Sequence, residues 1–95
     1  MKILKKFIMR QIAGENMLIP TGETTQEFNG MITMSKTAKF IWENVESCES
    51  LDELVQRILD EFDVDEELAR KDAAGLIGEL VQAGIMGCSR EDGTW

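Results

Sequence analysis

The chain has 95 residues, of which 43% are hydrophobic, and a chain of this length supports a single hydrophobic core. Its net charge of −8 disfavours a nucleic-acid partner, because phosphate contacts are made by clustered Lys and Arg side chains. The sequence has no His and no metal-ligand spacing, so it lacks the commonest general base. We therefore expect one domain over residues 1–95, with no catalytic residue, no metal and no cofactor.

The N-terminal segment is basic although the whole chain is acidic. The first ten residues hold four basic side chains and no acidic one, so residues 11–95 carry a net charge of −12. This segment lacks the apolar stretch of a secretory signal, and no run approaches the roughly 18 apolar residues of a membrane span. Cys48 and Cys88 form no CxxC pair and are interpreted as reduced thiols. A cytoplasmic location without membrane contact is expected.

The first third of the sequence predicts three short antiparallel strands. Residues 7–12 are compatible with a strand, and turn-forming residues follow them. Residues 17–19 form a second apolar run, which stops at Pro20. A third strand is expected over residues 27–34, where apolar residues alternate with polar ones. Gly30 within it is easier to accommodate on a sheet edge, or where another backbone comes close.

The pattern becomes helical after Ser35. Residues 36–47 predict a first helix, with Ser35 as its cap and apolar residues at spacings of three and four. Ser50 and Glu53 have the S-x-x-E form of a capping box. The apolar residues that follow predict a second amphipathic helix over residues 51–62.

The third predicted helix, residues 65–83, has an unusually broad apolar arc. A helix packed on one neighbour needs a narrower stripe, so this helix either lies at the centre of the core or uses one flank as a groove floor. The residues that widen the arc are Ala74, Ile77 and Val81. An ordered core is expected over residues 7–86, and residues 87–95 are expected to form a loose polar tail.

Three strands followed by three helices predict an α+β, winged-helix-like fold, in which a three-stranded antiparallel sheet precedes a three-helix bundle. Three stretches carry a resemblance that spans about residues 7–86: ILKKFIMRQIAGENMLIPTGETTQEFNGMITMSKTAKFIWENV, SLDELVQRILDEFDVD and KDAAGLIGELVQAGIM. In combination they closely resemble the PqqD-like proteins, which are recognition elements for ribosomally synthesised and post-translationally modified peptides (RiPPs). The region before Thr33 lacks the Pro-Glu step associated with members dedicated to pyrroloquinoline quinone biosynthesis, so a generic recognition role is expected.

The resemblance implies a non-catalytic domain that holds the leader of a precursor peptide for a separate modifying enzyme, such as a radical SAM enzyme. The leader is expected to add a strand beside the third strand, in a cleft formed with the third helix. The same edge can pair with a second copy, so a homodimer is a further option. The site residues implied by position are Gly30, Met31, Ile32, Thr33, Met34, Arg70, Lys71, Ala74, Ile77, Gly78 and Val81.

Some of these residues allow a second interpretation. Arg70 and Lys71 can pair with acidic residues of a leader, or with the acidic residues one helical turn earlier in this chain. Met31 and Met34 suit an adaptable peptide-binding surface, and they suit an ordinary core equally well.

The main alternative function is that of an acyl or peptidyl carrier protein. Residues 49–52 resemble the D-S-L-D motif whose serine, here Ser50, receives phosphopantetheine. Against this function, the motif begins with Glu, and residues 1–34 predict strands where a carrier has a long helix. Helix capping also explains Ser50 without modification. A winged-helix DNA-binding protein is disfavoured, because the second helix offers four acidic residues against one basic residue, Arg57.

Overall fold

The chain is represented by a computed structural model that describes residues 1–28 and 30–87. The described chain contains helices and two small sheets. In chain order the elements are β1 (Lys2–Ile3), β2 (Phe7–Ile12), β3 (Glu15–Pro20), α1 (Thr24–Glu27), β4 (Ile32–Met34), α2 (Lys36–Asn44), a 3₁₀ turn (Val45–Ser47), α3 (Leu51–Glu61), α4 (Glu66–Gln82) and β5 (Met86–Gly87).

The larger sheet is antiparallel and has the strand order β2-β3-β4. β2 and β3 form a hairpin across Ala13 and Gly14, which both have positive φ, as a two-residue turn of this kind requires. β3 continues the sheet to β4, with Leu18 opposite Ile32. The three-stranded sheet followed by α2, α3 and α4 confirms the predicted α+β fold of winged-helix-like order.

The third strand is shorter than the sequence predicted. Residues 24–27 form α1, whose buried Thr24 accepts a hydrogen bond from the Lys6 backbone N–H at 3.0 Å. Phe28 then packs edge-on against Phe7, with ring centroids 5.5 Å apart. Gly30 adopts φ +89°, a left-handed conformation that interrupts an extended strand. β4 therefore begins only at Ile32, and the prediction of a strand over residues 27–34 was wrong at its start.

Both predicted serine caps are present. The Ser35 hydroxyl accepts from the Ala38 N–H at 3.0 Å, and the Ser50 hydroxyl accepts from the Glu53 N–H at 3.1 Å. The Glu53 carboxylate also accepts from the Glu49 N–H at 2.7 Å. α2 and the 3₁₀ turn together span the first predicted helix, and α3 spans the second to within one residue.

The core lies between the inner face of the sheet and the three long helices. α4 is its central helix, because it packs along α3 and also contacts α2. Its small side chains Ala69 and Ala73 are fully covered, and Ile77 is only 6% exposed. The other buried apolar residues of these layers are Leu18, Met34, Ile41, Trp42, Val45, Leu54, Val55, Ile58 and Leu80.

Two short strands, β1 and β5, include residues outside the range 7–86. β1 pairs with β5, with Lys2 opposite Gly87, and the Ile3 N–H donates to the Glu46 carboxylate at 3.0 Å. Met1 is buried in the same cluster as the rest of the core. Of the predicted loose tail, Gly87 lies in β5 and residues 88–95 are outside the described residues.

The Ser50 cap gives a first prediction. Replacing Ser50 with Ala should lower the free energy of unfolding by about 1 kcal/mol, because the Glu53 N–H loses its acceptor. Ser50→Asp restores an acceptor and should keep most of the stability. Urea unfolding of both variants measures the difference. Intact mass after incubation with a phosphopantetheinyl transferase and coenzyme A should stay unchanged, and an added arm on Ser50 would contradict the capping role.

The backbone at Gly30 gives a second prediction. Gly30→Ala should destabilise the fold by about 1–2 kcal/mol, because an L-residue is strained at positive φ even though open space surrounds the position. Gly75→Ala is the matched control: Gly75 lies inside α4 with equally open space, and the change should stabilise by up to about 1 kcal/mol. Equal effects of the two changes in thermal unfolding would contradict the positive φ of Gly30.

Candidate functional site

The free edge of β4 is the first component of the candidate site. β4 is a terminal strand of its sheet, and no described strand pairs with its far side. Successive backbone groups of such a strand point alternately toward its partner and away from it, so part of β4 is available for another extended chain. Met34 is buried in the core and Ile32 is half-buried, whereas the Thr33 side chain is exposed. Side chains of β4 thus hold the strand against the core, and its outward backbone groups remain available for hydrogen bonds.

A cleft of about 630 Å³ begins at Ser35, the residue that directly follows this strand, and no residue of β4 lines it. It lies between the start of α2 and the middle of α4, and α2 begins directly after β4. Side chains of Ala38, Ile41 and Leu76 provide apolar surface, and Gly75 leaves room between the two helices. The polar and charged lining residues are Ser35, Thr37, Lys71, Asp72 and Glu79.

The cleft uses one flank of α4, whereas the helix residues implied by the resemblance lie mostly on the other. Lys71 is the only one of them that lines the cleft. Arg70 donates to Asp52 of α3 at 2.7 Å, so its flank faces α3. Ile77, expected as a groove floor, is buried in the core because α4 is the central helix. The remaining members of the set, Ala74, Gly78 and Val81, are exposed outside the cleft.

The two basic residues of α4 have different surroundings. Arg70 bonds Asp52 and also lies 3.8 Å from Glu66, one helical turn earlier. These contacts favour the internal ion-pair interpretation for Arg70, although such exposed pairs stabilise a fold by only about 0–1 kcal/mol. Lys71 is exposed on the rim of the cleft. It is the basic side chain that a bound molecule in the cleft can reach.

The segment before β4 differs from the predicted edge. Gly30 and Met31 precede the strand, and Met31 is 53% exposed. Apart from the two chain neighbours, no described residue has an atom within 4 Å of a Cβ placed on Gly30, so its positive φ explains this glycine without a close backbone neighbour. Of the expected edge, Ile32, Thr33 and Met34 form β4.

The sequence of the chain matches the model of one known protein family. A family model described as coenzyme PQQ synthesis protein D (PqqD) matches residues 15–86, from the start of β3 into β5. The chain belongs to the PqqD family. The resemblance noted in the sequence is confirmed, and the matched range includes the β4 edge and both helices of the cleft.

The PqqD-family fold is shared with a solved structure. That structure is described as "TbiB1 in Complex with the TbiA(beta) Leader Peptide", and it superimposes with a TM-score of 0.68. The two chains are 20% identical, and the match covers 96% of this chain and 100% of the other. At this identity the similarity establishes the fold. A search of curated proteins found no significant match.

Sequence reasoning missed the α2 side of this PqqD-family cleft. Ala38 and Ile41 belong to the apolar residues at helical spacing in the first predicted helix, and this spacing does not reveal that both residues border an opening. Gly75 was the available signal: a glycine inside a helix weakens it and often has a packing or functional reason. Gly75 lies on the same flank of α4 as Asp72, three residues earlier, and Glu79, four residues later.

Groups that could support chemistry are sparse in the described residues. No cluster of three or more potential metal-binding side chains forms among them. Burial raises the pKa of the Cys48 thiol, so this thiol is predominantly neutral at pH 7 and is a poor nucleophile. Within residues 1–28 and 30–87, no helix has the length and apolar character needed to cross a membrane.

Cys48 gives a third prediction. Its pKa is raised in the fold, so the unfolded chain loses the thiol proton first as the pH rises above about 8.5. This contribution to stability is complete at pH 7 and falls as the pH passes through the raised value. Urea unfolding at pH 7 and pH 9.5 should show a larger loss for the wild-type chain than for Cys48→Ala. Equal losses in both chains would contradict a buried neutral thiol.

Proposed function

We propose that this PqqD-family chain is a non-catalytic recognition domain for a ribosomally synthesised precursor peptide. It binds the leader as an added strand beside β4 and presents the precursor to a separate modifying enzyme, such as a radical SAM enzyme. The observation that carries the proposal is the open β4 edge, which continues directly into Ser35 on the lining of the cleft between α2 and α4. A chain of the same fold has been solved with a leader peptide, which supports this use of the fold.

The physical basis is the extension of a sheet by an incoming strand. Backbone groups of β4 that point away from β3 bond the leader, and these bonds supply affinity for any extended sequence. Alternate side chains of the leader enter the cleft, where they determine which sequences fit. A segment of roughly five to eight residues is long enough to follow β4 and reach past Ser35 into the cleft.

The lining of the cleft favours a leader with apolar side chains at alternate positions. Ala38 and Gly75 are small, so an apolar leader side chain can pass between the helices and rest on Ile41 and Leu76. Lys71 on the rim can pair with a leader carboxylate, and such a pair contributes more to selectivity and association rate than to affinity. The chain itself supplies no chemistry in this role; it raises the local concentration of the precursor at the enzyme.

Two other uses of the same residues are less well supported. A second copy can pair with the β4 edge, but two chains with a net charge of −8 each repel one another. The carrier-protein alternative needs a long first helix, whereas residues 2–20 of this chain contain the three strands β1, β2 and β3.

A fourth prediction tests the leader site with two matched glycine variants. Gly75→Phe fills the cleft and should weaken binding of a fluorescent leader peptide at least about tenfold, because a strand beside β4 then meets the new ring. Gly78→Phe is the control, since Gly78 lies on the same helix in equally open space but outside the cleft. Fluorescence anisotropy measures both affinities, with peptides synthesised from the short open reading frames that neighbour the gene of this chain as probes.

Amide hydrogen exchange locates the bound strand independently. Leader binding should slow exchange in β4 and leave the opposite edge strand, β2, unchanged. A stronger effect of Gly78→Phe than of Gly75→Phe would place the leader on the helix flank of Ala74, Gly78 and Val81. Absence of any leader binding to the wild-type chain would refute the proposed function.

A further inference from the structure

The sheet has an outer face that none of the described helices covers. Residues directly opposite one another in antiparallel strands place their side chains on the same face. Ile8 is opposite Ile19, and Met17 is opposite both Arg10 and Thr33 in its two neighbouring strands. The outer face, as used below, consists of Ile8, Arg10, Ile12, Met17, Ile19 and Thr33.

This outer face is apolar at its centre. Ile8 is 38% exposed and Ile12 is 45% exposed. Met17 and Ile19 are half-buried, and none of these four side chains packs against the hydrophobic core. The inner face already anchors the sheet through Leu18 and its neighbours, so fold stability does not explain the outer apolar residues. Apolar patches of about this size occur on most monomeric domains, where they often serve a function.

The outer face and its margin hold two basic residues and one acidic residue, whereas the chain as a whole is acidic. Arg10 lies on the face and Lys6 directly precedes β2; both are exposed, and neither forms an ion pair with a described residue. Lys5, in contrast, is paired with Glu27 at 2.6 Å. Glu15 is the one acidic residue that the strand register adds to this face. A partner with carboxylates around an apolar centre is therefore complementary to it.

The outer face is too small to act alone. Six residues of β2 span about 20 Å and three strands span about 14 Å, which gives roughly 300 Å². A stable pair of proteins buries about 800 Å² on each partner, so a face-to-face dimer of this chain lacks the necessary area. The occupant must contact additional surface next to the sheet.

A bound leader supplies that additional surface. A strand added beside β4 extends the sheet, and every second side chain of the strand then emerges on the outer face next to Thr33. Building on the leader-binding role proposed above, we propose that the outer face and the outward side chains of the leader form one docking surface for the modifying enzyme. The enzyme contributes an apolar patch bordered by carboxylates. Leader and enzyme then bind cooperatively, because each completes the surface that the other contacts.

The test uses the full chain, the leader peptide that it binds, and peptide-modifying enzymes such as radical SAM enzymes from the same genome. Saturating leader should strengthen enzyme binding to the wild-type chain at least about tenfold. Ile8→Glu and Arg10→Glu should each weaken enzyme binding to the loaded chain at least about tenfold and leave leader affinity within about twofold. Val64→Glu is the matched control, because Val64 is 37% exposed between α3 and α4. It should leave both affinities within about twofold.

Circular dichroism checks that each variant is folded. If Ile8→Glu unfolds the chain, Arg10→Glu still tests the proposal, because Arg10→Glu alters only an exposed charge. The proposed docking surface is wrong if Arg10→Glu leaves enzyme affinity unchanged. It is also wrong if the enzyme does not bind the leader-loaded wild-type chain. Neither outcome contradicts leader binding. The wild-type chain is also tested for self-association and for binding to phosphatidylserine vesicles. If either occurs and Ile8→Glu abolishes it, the outer face has another occupant and the proposed enzyme docking is overturned. Failure of the wild-type chain to bind the leader removes the proposed function itself.

Discussion

Helix α4 lies along α3 with the small side chains of Ala69 and Ala73 fully covered, and this packing fixes the rotation of α4 about its own axis. Once Ala69, Ala73 and Leu80 face inward, Gly75 and Glu79 must face the cleft, because a helix presents successive turns at fixed angles. Arg70 is directed toward α3 by the same rotation, where it meets Asp52. The opening beside β4 therefore depends on a helix contact on the opposite side of α4.

The cleft also depends on how β4 is held. Met34 is buried and Ser35 caps α2, so the strand passes into the helix without a loop that could move independently. A preorganised edge costs less conformational entropy when an extended peptide binds than an edge that must first become ordered. The open edges of the sheet create a risk of self-pairing, and the acidic surface of the chain counters that risk through repulsion.

Local signals in the sequence were sufficient for much of the fold. The capping residues Ser35 and Ser50 and the apolar spacing of α3 depend on neighbours within one or two turns, and the structure matches them. The start of β4 could not be read in this way, because the alternation of residues 27–34 is also produced by a helical turn, a packed Phe28 and a left-handed Gly30. The sequence also did not predict which flank of α4 lines the cleft. A broad apolar arc shows that several neighbours exist, but it does not show which neighbour takes which side.

The pairing of β1 with β5 brings the two ends of the described chain together, with Lys2 opposite Gly87. A domain whose ends share one corner can be inserted into a loop of another protein without being stretched. It can also be joined to a partner through either end, and the connecting segment then leaves from the same place. The architecture of this small domain is thus compatible with an independent protein and with a module inside a larger polypeptide, and changing from one to the other requires no rearrangement of its core.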